Sequence, residues 1–281
     1  MRETRRRVNR LRHYLDELLL CLRVGADPTS KIRLAVNTVR FHLRNARVHT
    51  PLPAADRDVT YLVRLGNDAV QQLTLRTYSG DLFVFHEIFV TNCYSIPDCL
   101  RRTTRSVVDL GANIGLTTLF YSRMFPHAQF VCVEPAPPNV DLLKRNVSPL
   151  AGRVVIIEGA VRDRAGVADF DGAGWSWGGQ IKRGGDVRVR CYTMDEIMKT
   201  AGLTRIDLLK VDIENGVETL FGSDNAWLGK VQTIVAELTS AYPLPAFARD
   251  VTPYGLTVLP QGSTYGNQMV MAVRFDARVM T

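Results

Sequence analysis

Asp109, Gly111 and Gly115 lie in the stretch VVDLGANIGLTTLF (107–120), and Glu134 follows 19 residues after Gly115. An apolar run that stops at an acid, crosses two glycines and turns amphipathic reads as strand, tight turn and helix. In open α/β sheets such a corner, at the carboxyl end of a strand, is where ligands sit. A pyrophosphate fingerprint G-x-G-x-x-G needs glycines two and five positions beyond Gly111, where the chain has Asn113 and Leu116. A phosphate loop needs a Gly-Lys-Ser/Thr ending, and the corner has none. A carboxylate at 109 repels a pyrophosphate and attracts an ammonium. A second carboxylate at 134 suits two ribose hydroxyls, a feature common to dinucleotide and nucleoside sites. The joint pattern D-x-G-x-x-x-G, strand, E-P therefore points to a ligand with ribose and ammonium but no phosphate, which is S-adenosylmethionine. Taken singly, Asp109 as a turn cap and Glu134 as an exposed strand end are the plainer readings.

Were the methyl acceptor a hydroxyl, a general base would help remove its proton. The candidates are Asp212, Glu214, Glu237 and His86. Their structural counterparts are a strand-end cap, an acid favourable to a helix N-terminus, an exposed strand end and a packed histidine. No metal is expected, since three acids in sequence do not establish convergence. Cys21, Cys93, Cys99, Cys132 and Cys191 are odd in number and contain no C-x-x-C, which argues against a disulfide framework or a zinc site. The N/D-P-P-Y/F element of base N-methylation is missing after the fourth strand. The glycine-rich GAGWSWGGQ (172–180) reads either as a loop stacking Trp175 or Trp177 over the site, or as a surface loop anchored by one indole.

The elements that must position these residues follow from periodicity. Residues 4–24 read as an amphipathic helix through Val8, Leu11, Leu15, Leu18 and Leu22. Asp27-Pro28 starts a second helix, reaching about Arg47. Pro51 and Pro53 mark a linker. Runs 59–65 and 70–77 form a hairpin about Gly66-Asn67-Asp68. A short helix over 81–90 has Asp81 near its N-cap. Strands at 106–110, 129–134, 153–158, 206–212 and 231–237 then alternate with helices at 115–125, 137–147, 194–201 and 215–222. The stretch after 158 reads as irregular, with one strand at 187–192. Two closing strands, 255–259 and 268–275, imply at least one antiparallel pairing. The alternation predicts an α/β fold with a mostly parallel central sheet and helices on both faces.

Residues 1–50 hold 12 Lys+Arg against 4 Asp+Glu, and the remaining 231 hold 23 against 24, so the net charge of +7 resides in the leader. Three readings follow: a helical cap, a peripheral contact with an anionic membrane or polyanionic substrate, or nucleic-acid binding. The last is not expected, because no recognition motif accompanies the charge. The run Leu18–Leu22 is too short to span a bilayer, and Asp16 and Glu17 break any signal-peptide core. The expected location is cytoplasmic or membrane-peripheral. Oligomeric state is open.

The sequence resembles the FkbM-type methyltransferases, S-adenosylmethionine-dependent enzymes that are mostly O-methyltransferases of natural-product and sugar pathways. The resemblance is carried by VVDLGANIGLTT (107–118), FVCVEPAPPNVDLLKRNV (130–147), IDLLKVDIENGVETLF (206–221) and IVAEL (234–238), with GDLFVFHEIFVTNCY (80–94) upstream. It covers roughly residues 76–240. It implies a Rossmann-like class I methyltransferase fold over 105–281, preceded by a basic helical extension (1–50) and a hairpin and lead-in segment (51–104). It further implies a cofactor loop of Asp109, Gly111, Ala112, Asn113 and Gly115, with Glu134 and Pro135 at the ribose. Glu158, Gly159 and Ala160 would border the adenine, and Asp212 and Glu214 would face the transferred methyl. One departure is Asn215, where the family more often has glycine; asparagine tolerates the left-handed backbone that the turn needs. The implied activity is O-methylation of a sugar, glycan or natural-product hydroxyl. The competing readings are a catalytically silent protein of the same fold and a nicotinamide-dependent oxidoreductase.

Overall fold

The structure, a computed structural model, describes residues 2–47, 50–51, 55–65, 69–172, 174–223, 225–264 and 267–275, without the side chains of 2–11 and 262–264. The chain divides into two compact units, Met1–Asn92 with Gly174–Ser176, and Cys93–Ala173 with Trp177–Thr281.

The first unit opens with helices α1 (Arg2–Val24) and α2 (Pro28–Asn45). Asp27 caps α2 by accepting from Ser30 N at 3.0 Å, and Pro28 fills the first helical position, where no amide donor is needed. Strands β1 (Asp58–Val63) and β2 (Gln71–Arg76) form an antiparallel ladder in which Asp58 faces Arg76. The expected turn Gly66-Asn67-Asp68 and the linker residue Pro53 lie outside the described residues. Helix α3 (Asp81–His86) runs into a π-helical turn at Glu87–Thr91. Gly80 is its N-cap and Asp81 follows at the first helical position, near the cap as expected, without capping the helix through its side chain. Asp81 is instead buried in a two-pronged pair with Arg76, whose Nε and Nη2 each lie 2.8 Å from a carboxylate oxygen.

The second unit begins with the single turn α4 (Asp98–Arg101). Then β3 (Ser106–Leu110), α5 (Leu116–Met124), β4 (Gln129–Glu134), α6 (Pro137–Asn146) and β5 (Val154–Glu158) alternate. An excursion follows through β6 (Ala160–Val161), β7 (Gly166–Asp171), β8 (Gln180–Ile181) and β9 (Val187–Tyr192), which form a small sheet ordered β6-β9-β7-β8. Only β9 was expected there. Two of the other three are two residues long, too short for any periodicity. After α7 (Met194–Thr200), closed by a Thr193–Glu196 capping box, come β10 (Ile206–Val211), α8 (Val217–Phe221), β11 (Val231–Leu238), α9 (Leu244–Val251), β12 (Thr257–Thr264) and β13 (Asn267–Val273).

The large sheet has the order β12-β13-β11-β10-β3-β4-β5, parallel except at β13, which runs antiparallel to both β11 and β12. Strand order therefore reverses between β3 and β10. Register puts Asp109 beside Cys132 on one side and Lys210 on the other. Side chains alternate across a sheet. On the face of Asp109, Thr118 of α5 donates to the Asp109 carboxylate at 2.8 Å and lies 3.1 Å from Cys132 Sγ. On the opposite face Val108, Leu110, Val131 and Leu209 join one core with Ile197 of α7, Leu220 of α8 and Phe247 of α9. Both faces are covered by helices, the arrangement of a Rossmann-like α/β fold.

Candidate functional site

The loop Gly111–Gly115 leaves β3 at the point of strand-order reversal. Three of its five residues have positive φ: Gly111 at 74°, Asn113 at 49° and Gly115 at 88°. The two glycines have separate reasons. A Cβ on Gly111 would stand 1.9 Å from the carbonyl oxygen of Asp212, so the loop lies directly on the chain leaving β10. A Cβ on Gly115 would stand 2.8 Å from both Leu143 Cδ1 and Val147 Cγ1, so α5 seats against the end of α6. Gly111→Ala is expected to cost about 2–4 kcal/mol, combining left-handed strain with a backbone collision. Gly152, at φ 83° with nothing within 4 Å of a Cβ, is the control. Its alanine variant keeps only the strain, about 1 kcal/mol. Urea denaturation of the two variants separates the terms.

Asp109 does not present an open carboxylate to a ligand, as its place in the sequence suggested. It is fully buried; one oxygen accepts from Thr118, and the other lies 3.0 Å from Lys210 Nζ. Lys210 is itself buried, near the carboxyl end of β10. Its ammonium donates to Gly111 O at 2.7 Å and Leu110 O at 3.3 Å, lies 3.6 Å from Asp212 Oδ2, and sits 5.5 Å from the centre of the Tyr94 ring. Burial works to lower the Lys210 pKa, but Asp109 and then Asp212 outweigh it, and the net shift is upward. Lys210 was not among the site residues read from sequence. Its signal was there: the strand IDLLKV carries a lysine close to its carboxyl end, and a charge there must be paired if the strand is central.

Glu134, at the end of β4, is buried rather than exposed. Its Oε2 accepts from Asn113 N at 2.8 Å, and its Oε1 from Ala136 N at 3.0 Å and Asn139 Nδ2 at 3.2 Å. Burial raises its pKa against the pull of those donors. An ionised carboxylate accepts about four hydrogen bonds, so Oε2 keeps room for another. Ala112 is buried and donates to Val133 O at 3.0 Å, while Pro135 is half-buried beside Glu134. At the end of β5, the Glu158 side chain points outward and pairs with Lys144 at 2.6 Å. Gly159 N donates to Glu134 O at 3.0 Å, and Ala160 pairs with Cys191 in the small sheet. A Cβ on Gly159 would stand 2.4 Å from Arg190 O and 2.7 Å from the Tyr192 ring, so β9 leaves no room for a side chain at this position.

Asp212 follows β10, with its side chain 38% exposed. Tyr94 donates its hydroxyl to Asp212 Oδ2 at 2.9 Å. Glu237, near the end of β11, accepts from Asn267 Nδ2 at 2.6 Å. Burial first, and the charge of Asp212 second, push the Glu237 pKa up to about 7. The same two causes raise Glu214. Asn215 adopts φ 52°, the left-handed backbone anticipated for it, and its amide donates to Gln180 of β8. Among the described residues no group of three His, Cys, Asp or Glu side chains is placed to hold a metal ion. His86 belongs to the first unit, buried with Nε2 2.9 Å from Thr38 Oγ1; burial lowers its pKa to about 4, so it is neutral. Trp175 also belongs to the first unit, its ring edge-on to Phe41 at 6.1 Å.

Residues 109–251, just over half of the chain, match the family described as the methyltransferase FkbM domain. The chain belongs to the FkbM methyltransferase family. The matched segment opens at Asp109 and ends at Val251, the last residue of α9, so it contains every strand-end acid described above. Among curated relatives, methyltransferase sdnD of Sordaria araneosa is 29% identical over 55% of this chain and 73% of its own. The 2-O-methyltransferase NoeI of Sinorhizobium fredii is 26% identical over 50% and 66%. The 31-O-demethyl-FK506 methyltransferase FkbM of Streptomyces tacrolimicus is 26% identical over 64% and 82%. AMB antimetabolite synthetase AmbE of Pseudomonas aeruginosa is 29% identical over 56% of this chain, which spans only 9% of that protein.

Proposed function

We propose that this FkbM-family methyltransferase uses S-adenosylmethionine to methylate a hydroxyl of a sugar, glycan or natural-product acceptor. The observation that carries the reading is the charge balance at the strand ends. Asp109 and Lys210 neutralise each other, and Glu134, Asp212, Glu214 and Glu237 remain within electrostatic reach of that one lysine or of one another. Such a site favours a cationic ligand and disfavours a pyrophosphate. The discrimination first read from Asp109 alone thus rests on the cluster. Two relatives, NoeI and FkbM, carry O-methylation in their names, which supports oxygen as the accepting atom.

The residues fit the cofactor. Glu134 would take a ribose hydroxyl on the free capacity of Oε2, over the left-handed loop 111–115. Asp212 supplies negative charge toward the ammonium and sulfonium. When bound, S-adenosylmethionine supplies an electrophilic methyl, so the protein's work is alignment, exclusion of water and removal of one proton. Glu237 is the base we assign, because a carboxylate with a pKa near 7 is half deprotonated at neutral pH and still basic enough to accept the hydroxyl proton.

The test is a melting curve with S-adenosylhomocysteine, beside NADH and NADPH. At about 100 times its dissociation constant a ligand stabilises by roughly 2.7 kcal/mol, a rise of about 5–10 °C here. A shift with the homocysteine nucleoside alone, lost in Glu134→Ala, is the expected result. A shift with a nicotinamide cofactor instead would overturn the reading.

A further inference from the structure

The helical hairpin of the first unit exposes apolar side chains in two regular stripes. On α1 they are Leu15, Leu19 and Leu22, 53%, 61% and 49% exposed. On α2 they are Ile32, Val36, Val39 and Leu43, of which Ile32 and Leu43 are 61% and 62% exposed. Spacings of three and four put each set on one helix face. The interior is already supplied by other faces: Leu20, Cys21 and Val24 on α1, and Leu34, Thr38 and Phe41 on α2 are buried. The stripes are therefore surplus to the core. Two helices joined by three residues, with the Tyr14 ring 4.7 Å from that of His42, lie antiparallel side by side.

The charged residues around the stripes are predominantly basic. Among the described side chains of the hairpin, Arg12, Arg23, Arg33, Arg40 and Arg47 are exposed, and Asp16 is the one exposed acid. Glu17 is buried, between His42 Nε2 at 2.5 Å and His13 Nε2 at 3.3 Å, and Asp27 is used as a helix cap. A groove of about 490 Å³ opens on the same helix, lined by Ile32, Val36, Arg33, Arg40, Arg57 and Asp58 among others. It combines an apolar floor with three guanidiniums against one carboxylate. No helix among the described residues is long and apolar enough to cross a membrane.

We infer that the outer face of α1–α2 docks this protein in the plane of an anionic lipid surface. Exposed leucines and isoleucine enter the acyl boundary, and the arginines meet lipid phosphates. That division of labour is what an interfacial amphipathic helix requires. A second copy of the chain is the other partner that would cover an apolar stripe. Five arginines around it would then face five more across a two-fold axis, so charge complementarity favours the lipid.

The full chain is tested by co-sedimentation with vesicles of phosphatidylcholine alone and with about one third phosphatidylglycerol. The expected result is binding to the anionic vesicles only, weakened by salt. Leu19→Glu/Leu43→Glu should abolish it. Arg33→Gln/Arg40→Gln should weaken it roughly thirtyfold, at about 1 kcal/mol per basic residue near the surface. Both pairs are exposed, so circular dichroism melting should match the parent. If either variant misfolds, the lipid and salt dependence of the parent still decides. Equal binding to both vesicle types, or no binding to either, overturns the proposal. So does a dimer by light scattering that Leu19→Glu/Leu43→Glu dissociates while the parent ignores vesicles.

Discussion

Lys210→Met is expected to destabilise the protein by about 3–5 kcal/mol, the usual cost of leaving a buried charge without its partner. Asp109 has no exposed surface, and Lys210 Nζ at 3.0 Å is the cation that neutralises it. Methionine keeps the unbranched stem and most of the volume, so the loss is electrostatic rather than a cavity. The variant also removes the bridges from the ammonium to Leu110 O and Gly111 O, which tie the end of β3 to β10. Asp109→Asn/Lys210→Met should regain at least half of the loss, because removing both charges of a buried pair costs far less than removing one. Urea denaturation of the two single variants and the double variant gives the coupling. A loss below about 1 kcal/mol in Lys210→Met would place the pair among weak surface bridges and sink this account. The pKa of Lys210 is raised above 10.5 in the fold, so its contribution is complete at lower pH and fades only as pH rises through the folded value. No pH dependence near neutrality is expected from it.

The pair also explains what was and was not legible in the sequence. Alternating apolar runs and helical periods were enough for the α/β fold, because β3 and β10 are buried along their whole length and so read as mostly apolar strands despite Asp109, Asp207 and Lys210. The turn at 111–115 was legible from its glycines, and the left-handed Asn215 from its residue type. Which strands are neighbours was not. Asp109 and Lys210 are 101 positions apart, and only the register of β3 on β10 brings them together. Read without its partner, Asp109 looked like a carboxylate waiting for an ammonium. Glu134 reads in sequence as a ribose acceptor, with an exposed strand end as the plainer alternative; its burial was not legible because its donors, Asn113 N and Asn139 Nδ2, come from two separate segments. The small sheet β6–β9 was hidden for another reason: its pairings join strands of two to six residues, and their only common mark is a few inward residues such as Phe170 and Val189.

Glu237→Gln is expected to lower methyl transfer by about 10²–10⁴-fold, the usual contribution of a general base, while making the protein more stable at pH 8. The two effects have one cause. Burial and the charge of Asp212 hold the Glu237 pKa at about 7, against about 4.5 in the unfolded chain. Between those values the folded protein holds a proton that the unfolded chain has released. The contribution of this one group is therefore greatest below about pH 4.5, falls as pH rises, and has cost on the order of 3 kcal/mol above 7. Glutamine is neutral at every pH and keeps an oxygen that can accept from Asn267. It should abolish the fall, and a melting curve at pH 8 should move up rather than down. Activity runs the other way: turnover of the parent should climb with pH through about 7 and level off, as Glu237 becomes able to take the hydroxyl proton. Asp212→Asn separates this assignment from its nearest rival. Asp212 raises Glu237, so its neutral variant should shift the rising limb to lower pH while leaving a limb to be seen. If Asp212 were the base, the limb would vanish in Asp212→Asn and survive in Glu237→Gln. A base misidentified through simple unfolding would lower the melting temperature together with the rate, and the opposite signs expected for Glu237→Gln exclude that explanation in the same pair of measurements.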